Sequence, residues 1–93
     1  MPRFVVTLTF TDNVARRLEV RPSHRAYLKA MLDAGKLVEA GPFADDSGGI
    51  VVYDAADEAE VEAILANDPY TPAGIIERRT IKEWTIVLAR HPA

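Results

Sequence analysis

Cysteine is absent from this sequence of 93 residues, and histidine occurs only twice. Without cysteine the chain can form no disulfide, no thiol nucleophile and no cysteine-ligated zinc site. The two histidines do not have the spacing of a metal-binding pair, and no glycine-rich phosphate-binding loop is present. We therefore expect neither a metal nor a cofactor.

Blocks of positive charge and long apolar runs are also missing. The net charge is −3, which argues against nucleic acid or an anionic membrane as a partner. No apolar run approaches the roughly 20 residues of a membrane helix, and the first residues alternate as a strand does, unlike a signal peptide. The sequence thus predicts one cytoplasmic domain over residues 1–93, short enough to favour self-association.

Hydrophobic periodicity predicts six elements in the order strand, helix, strand, strand, helix, strand. They cover residues 4–10, 22–34, 37–43, 50–53, 57–68 and 75–89. The first helix has an alternative start, because Asp12 or Asn13 would cap a helix that begins before residue 20. Since Pro22 would interrupt that longer helix, we place the start at Pro22.

This order is typical of the α+β ferredoxin-like sandwich, βαββαβ, with both helices on one face of an antiparallel sheet. The opposite face is then uncovered, and the third and fourth strands are apolar on both sides. An exposed apolar sheet is usually an interface. We therefore expect a homodimer that closes through the open sheet face, with a cavity along the seam.

His24 lies in the first turn of the predicted helix over residues 22–34, and Asp68 ends the helix over residues 57–68. The topology brings these two helix ends to the same end of the molecule. Each side chain is at the unfavourable end of its helix dipole, and a direct hydrogen bond would offset part of both costs. Asp68 would then fix the imidazole tautomer and leave the other ring nitrogen free to transfer a proton.

Two interpretations of this pair are open at the level of sequence. In the first, His24 and Asp68 are an acid–base pair. In the second, the pair is structural, because Asp-Pro at a helix end is a common stop signal whose carboxylate binds nearby backbone amides. Spacing alone does not separate them.

Five stretches together resemble the YciI-like, or YCII-related, family: RPSHRAYL, GKLVEAGPF, a glycine-bearing hairpin, NDPYTPAG and a closing strand with EW. The resemblance covers nearly the whole chain and implies a dimeric α+β barrel of ferredoxin-like fold. It also implies an active site centred on a histidine and an aspartate, which fall on His24 and Asp68. Members are similar in architecture to muconolactone isomerases and small cofactor-free monooxygenases, and one relative is a dehydrochlorinase of a chlorinated hydroxyhydroquinone.

Residues and resemblance together favour a small cofactor-free enzyme of lyase or isomerase type, acting on a small organic molecule. His24 would be the acid–base group and Asp68 its orienting partner. One alternative is a non-catalytic or accessory dimeric subunit that binds a small molecule in the same cavity. Another is a dimerisation module in which the polar pair is only structural.

Four further residues are candidates for substrate binding. Tyr70 would offer a phenol, and Arg25 would offer a cation to an anionic group. Thr7 would line the seam between subunits, and Gly41 would let a ligand approach the strand backbone. Each has a structural alternative, namely an aromatic cover for the end of the sheet, a solvated cation, or ordinary strand composition.

Overall fold

A computed structural model of the protein describes residues 1–90. Its elements follow the predicted order: β1 (Arg3–Phe10), α1 (Val14–Asp33), β2 (Leu37–Pro42), β3 (Gly48–Asp54), α2 (Glu58–Ala66) and β4 (Ile76–Trp84). The strands lie in the order β2-β3-β1-β4, and each neighbouring pair is antiparallel. This is the ferredoxin-like α+β arrangement that the sequence predicts.

The core lies between the sheet and α2. Alternation along β1 turns Phe4, Val6 and Leu8 towards the helices, and each of these side chains is at most 4% exposed. From α2, Val61 and Leu65 join the same hydrophobic cluster, because residues four apart share one face of a helix. This packing fixes α2 on the sheet and therefore the position of the loop that follows it.

The first helix is longer than predicted, since α1 begins at Val14 and not at Pro22. Asn13 is its N-cap, and the side-chain oxygen of Asn13 accepts a hydrogen bond of 3.1 Å from the backbone N of Arg16. Pro22 lies on an exposed part of the helix. Solvent can therefore satisfy the Leu18 carbonyl, which loses its intrahelical donor at the proline. The alternative start with an Asn13 cap is the correct one.

The longer helix places His24 at the eleventh residue of α1 (Val14–Asp33). The expectation that the ring lies at the positive end of a helix dipole is therefore wrong, because that effect is confined to the first turn. The buried residues of α1 are Arg17 and His24. Since both are polar, α1 does not seal against the sheet as an apolar helix would, and space is left beneath it.

The last strand is shorter than the predicted range 75–89. Within residues 1–90, β4 pairs with β1 alone, and the register matches Trp84 with Arg3, the first residue of β1. Beyond Trp84 there is no further β1 backbone to pair with, so residues 85–90 leave the sheet.

The helices cover one face of the sheet, and the other is called the open face here. It contains Thr7 and the residues paired with it, Ile50 on β3 and Thr80 on β4. The prediction that β4 is apolar on both sides is wrong, because its open face also presents Arg78 and Lys82. No helix within residues 1–90 is long and apolar enough to span a membrane.

Candidate active site

His24 and Asp68 form a buried hydrogen bond between α1 and the loop after α2. Nδ1 of His24 lies 2.7 Å from Oδ1 of Asp68, and the two residues are 8% and 0% exposed. The predicted contact is therefore present, although His24 comes from the middle of its helix. Because an ionised carboxylate can only accept, Nδ1 carries the proton of this bond. The other ring nitrogen, Nε2, forms no hydrogen bond within residues 1–90.

The loop after α2 gives Asp68 a fixed position. Its backbone N donates to the carbonyl of Leu65 in the last turn of α2, and Pro69 then prevents the helix from continuing. Oδ1 of Asp68 also accepts a 2.9 Å hydrogen bond from the backbone N of Tyr70. Oδ1 therefore binds both the imidazole and its own loop, whereas Oδ2 is buried without a partner in the described chain.

Tyr70 stacks directly on the His24 ring. The two ring centroids are 3.7 Å apart and the planes differ by 3°, while Phe10 meets Tyr70 edge to face at 5.7 Å. Burial raises the pKa of the Tyr70 phenol above its usual value. The phenol stays protonated at neutral pH, as an ordinary phenol does, and Tyr70 and Phe10 form an aromatic wall beside the imidazole.

Two more tyrosines lie close to Asp68. The Tyr27 hydroxyl donates to the backbone carbonyl of Ile64 at 2.7 Å, and its pKa is raised by burial and then by the Asp68 charge. Burial, followed by the charge of Asp68, also raises the pKa of Tyr53. The Tyr53 hydroxyl is buried and has no hydrogen-bond partner in residues 1–90. Asp68 is thus surrounded by protonated phenols and apolar groups, which gives it a low-dielectric environment.

A cavity of about 490 Å³ opens between α1 and the strands β1, β2 and β3. Its α1 side includes Arg17, Arg21, His24, Arg25 and Leu28. The cavity lies within one chain, under α1, whereas the sequence led us to expect one at the open face. This place follows from the loose packing of α1, whose buried residues are polar.

The cavity brings together most of the residues predicted to bind substrate. Tyr70, Arg25 and Gly41 line it together with His24. Gly41 pairs with Ile50, so a Cβ at this position would point to the open face, and Gly41 borders the cavity through its backbone. Thr7 is not brought to this cavity, because the alternation of β1 puts it on the open face.

Arg17 is a residue of the cavity that the sequence interpretation missed. It is 3% exposed, and its Nη2 donates to Oδ2 of Asp46 at 2.6 Å. The guanidinium carbon also lies 5.0 Å from the centroid of the Phe10 ring. A helix starting at Asn13 would have revealed it, since Arg17, Arg21 and Arg25 then recur every four residues on one face.

The arrangement suits proton transfer to a molecule in the cavity. A carboxylate fixes one imidazole nitrogen, the other has no hydrogen-bond partner in the described residues, and both residues of the pair are largely buried. Residues 1–90 contain no group of three or more histidine, aspartate or glutamate side chains placed to hold a metal ion.

Fold and site together define a ferredoxin-like α+β domain with a histidine–aspartate pair beside an internal cavity. The family model of the YCII-related domain matches residues 2–85. The chain belongs to this family.

Two curated relatives cover most of the chain. Protein YciI of Escherichia coli is 35% identical over 83 residues, which are 78% of this chain and 85% of that protein. A protein of Emericella nidulans, named derivative of benzaldehyde biosynthesis cluster protein C, is 29% identical over 86 residues, or 81% and 88% of the two chains.

Two solved structures are similar in fold. The 5-chloro-2-hydroxyhydroquinone dehydrochlorinase of Burkholderia phenoliruptrix, solved with 2,5-dihydroxybenzoquinone, has a TM-score of 0.79 and 24% identity, covering 89% of this chain and 93% of its own. An antibiotic biosynthesis monooxygenase has a TM-score of 0.62 and 12% identity, covering 95% of this chain and 100% of its own. At these identities the similarity establishes the fold alone.

Proposed function

We propose that this protein is a small cofactor-free enzyme that catalyses elimination or isomerisation of a small organic molecule in the cavity under α1. The observation that carries the proposal is the 2.7 Å hydrogen bond from His24 to Asp68 at the wall of that cavity. A buried, oriented imidazole with an unpartnered second nitrogen has the arrangement that general acid–base catalysis requires.

In this proposal Nε2 of His24 takes a proton from the substrate or returns one to it. Asp68 keeps the proton of the neutral ring on Nδ1 and stabilises the imidazolium once Nε2 is protonated. Tyr70 holds the plane of the imidazole through stacking, while Arg25 and Gly41 contact the substrate from opposite walls. Asp68 is therefore a positioning residue and His24 the catalytic one.

A chlorinated hydroxyhydroquinone is the first substrate to test, because the similar dehydrochlorinase is named for one. The net reaction would be loss of one proton and one chloride, which gives a hydroxyquinone. Two O–H protons leave the ring; one is returned through His24 Nε2 to the carbon that bears the chlorine and the other passes to solvent, while the chloride departs with the electron pair of the carbon–chlorine bond. No electron acceptor is needed, since the ring is oxidised as the carbon–chlorine bond is reduced to chloride.

The experiment is chloride release from 5-chloro-2-hydroxyhydroquinone, followed with the parent protein and with His24→Gln. We expect a loss of about 10²–10⁴-fold in the variant, as for removal of a general acid–base group. Ser23→Ala, an exposed neighbour on α1, is the matched control and should keep full activity. Saturable binding without product would instead favour the non-catalytic binding subunit, and undiminished activity in His24→Gln would exclude the proposed role.

We also propose a homodimer through the open face, in the cytoplasm. Trp84 at the edge of this face is 44% exposed, and Ile50 within it is 37% exposed. Apolar groups of this size on a sheet surface favour contact with a second copy. The molar mass in solution should therefore be that of two chains, and Trp84→Lys should lower it towards that of one.

A further inference from the structure

Arg17 is a buried cation whose hydrogen bonds are incomplete. Its Nη2 is bound to Asp46, but its Nε is buried and has no partner in residues 1–90. A guanidinium has five N–H donors, and leaving one of them unpaired in a low-dielectric site is costly. Nε itself has no surface open to the cavity, but Arg17 lines that cavity, so a turn of its side chain would bring the guanidinium to an acceptor on a ligand.

The cavity carries positive charge although the whole chain carries −3. Four of its lining residues are cations, namely Arg17, Arg21, Arg25 and Lys29, and two are anions, Glu39 and Asp46. Lys29 is paired with Asp33 on the outer surface of α1. In the described part of the chain neither Arg21 nor Arg25 forms an ion pair, so their charge is available to a ligand.

Arg17, Arg21 and Arg25 line the same cavity as Tyr70. Their charges each lower the pKa of the Tyr70 phenol, against the larger effect of burial, which raises it. Since Tyr70 stacks on His24 and Phe10 meets Tyr70 edge to face, the positive groups lie next to the aromatic wall. The cavity thus combines a flat apolar surface with a cluster of guanidinium donors.

Asp46 is the partner that a ligand would replace at Arg17. It lies in the turn between β2 and β3 with φ of 64°, a backbone conformation that costs energy for a residue other than glycine. Its side chain is 48% exposed, whereas that of Arg17 is 4% exposed. Water can therefore solvate Asp46 if a ligand replaces it at Arg17, while Arg17 itself depends on a partner inside the cavity.

We propose that the ligand of this cavity is a planar organic anion, with an ionised oxygen bound by Arg17, Arg21 and Arg25 and its ring beside His24. This inference rests on the proposed function, because it assumes that the ligand is the substrate of His24. It narrows the substrate class to ionised phenols, hydroxyquinones or aromatic carboxylates. Neutral molecules of the same shape can accept hydrogen bonds through hydroxyl or carbonyl oxygens, but they lack the charge that strengthens a bond to guanidinium.

The test is calorimetric titration of the full chain with three probes of similar ring size. The acidic probes are 2,5-dihydroxybenzoquinone and 2,5-dihydroxybenzoate, both ionised at neutral pH, and the neutral probe is hydroquinone. We expect at least one acidic probe to bind about tenfold or more tightly than hydroquinone, as for charge-assisted hydrogen bonds. Equal or weaker binding of both acids would overturn the proposal.

Arginine variants test whether the acidic probe is bound by the arginines of the cavity. Arg21→Gln and Arg25→Gln should each weaken the better acidic probe by about tenfold and leave hydroquinone unchanged. Arg16→Gln is the matched control, because Arg16 lies on the same helix, outside the cavity, and pairs with Glu19. Unchanged affinity in both cavity variants would overturn the proposal, and neither result depends on the buried Arg17.

Probe binding and substrate turnover, compared in the same protein, separate this inference from the proposed function. Tight binding of the acidic probe without turnover by the parent protein would leave the anion site standing and remove the enzymatic role. Turnover of the chlorinated substrate without preference for acidic probes would support the enzymatic role and overturn the anion site.

Discussion

At the scale of single residues, Asp68 is the most connected group of the site. One of its oxygens accepts from both His24 Nδ1 and the backbone N of Tyr70, while the second is buried without a partner in the described chain. Because buried donors and acceptors are costly when they lack a hydrogen-bond partner, a replacement that keeps the accepting oxygen and one that removes it should have different effects.

Asp68→Ala should therefore lower the free energy of unfolding by about 2–4 kcal/mol, because it leaves two buried donors unpaired. Asp68→Asn should cost less, since its carbonyl oxygen still accepts from both. Urea denaturation of the two variants measures the difference. Equal effects, or a cost of less than about 0.5 kcal/mol for the alanine, would contradict the hydrogen bonds described for Oδ1.

Tyr53 provides a contrasting case. Its hydroxyl is buried and forms no hydrogen bond in residues 1–90, although its ring is fully enclosed. Tyr53→Phe removes only this oxygen, so the free energy of unfolding should stay the same or rise by up to about 1 kcal/mol. A clear loss of stability in thermal and urea denaturation would mean that the hydroxyl has a partner.

At the scale of secondary structure, the start of α1 is a feature that the sequence did not predict correctly. The sequence predicts β1 from its alternation and α2 from its apolar stripe, because each of these elements faces a continuous core. The start of α1 was not predicted, because Pro22 is a strong local breaker and its cost depends on whether the helix is exposed there. The His24–Asp68 contact was predicted from topology, yet the helix-dipole argument does not apply to His24, which lies in the middle of α1, and holds only for Asp68 at the end of α2.

The cavity under α1 could not be predicted from the sequence, for a related reason. It exists because α1 buries Arg17 and His24 where an apolar helix would bury leucines. With α1 taken to begin at Pro22, Arg17 was assigned no position on a helix face. The strand register that places Gly41 at the cavity wall likewise depends on pairing between β2 and β3.

Pro22→Ala should stabilise the protein by about 1–2 kcal/mol. Alanine restores a backbone donor and is the better helix former, although proline also restricts the unfolded chain, which offsets part of the gain. Ser23→Ala at the next exposed position should gain only a few tenths of a kcal/mol. Urea denaturation measures both, and a loss of stability in Pro22→Ala would show that α1 needs the proline to keep its shape over the cavity.

At the scale of the whole molecule, all three tyrosines of the chain have raised pKa values, with burial as the largest cause in each. In the unfolded chain they ionise near pH 10. The unfolded state thus loses protons at a lower pH than the folded state. By linkage, the tyrosines' contribution to stability is complete below about pH 10 and is lost as the pH rises further.

A spectrophotometric titration should accordingly show less tyrosinate at pH 10 than a free phenol, which is half ionised there. Ionisation at higher pH should coincide with the loss of circular dichroism that reports unfolding. Titration in denaturant is the control and should return ordinary values. Tyrosinate forming near pH 10 in the folded protein, without unfolding, would contradict the burial of these rings.

The account depends most on Asp68 holding the His24 proton at Nδ1 and leaving Nε2 to the ligand. Nitrogen-15 spectra of the histidine side chains, recorded where the ring carries one proton, measure this directly. We predict a protonated Nδ1 and an unprotonated Nε2 for His24, with Nε2 shifting when 2,5-dihydroxybenzoquinone binds and the preference for the Nδ1–H tautomer lost in Asp68→Ala, which removes the acceptor. An Nε2–H tautomer in the parent protein, or an Nε2 signal unaffected by bound ligand, would contradict the account.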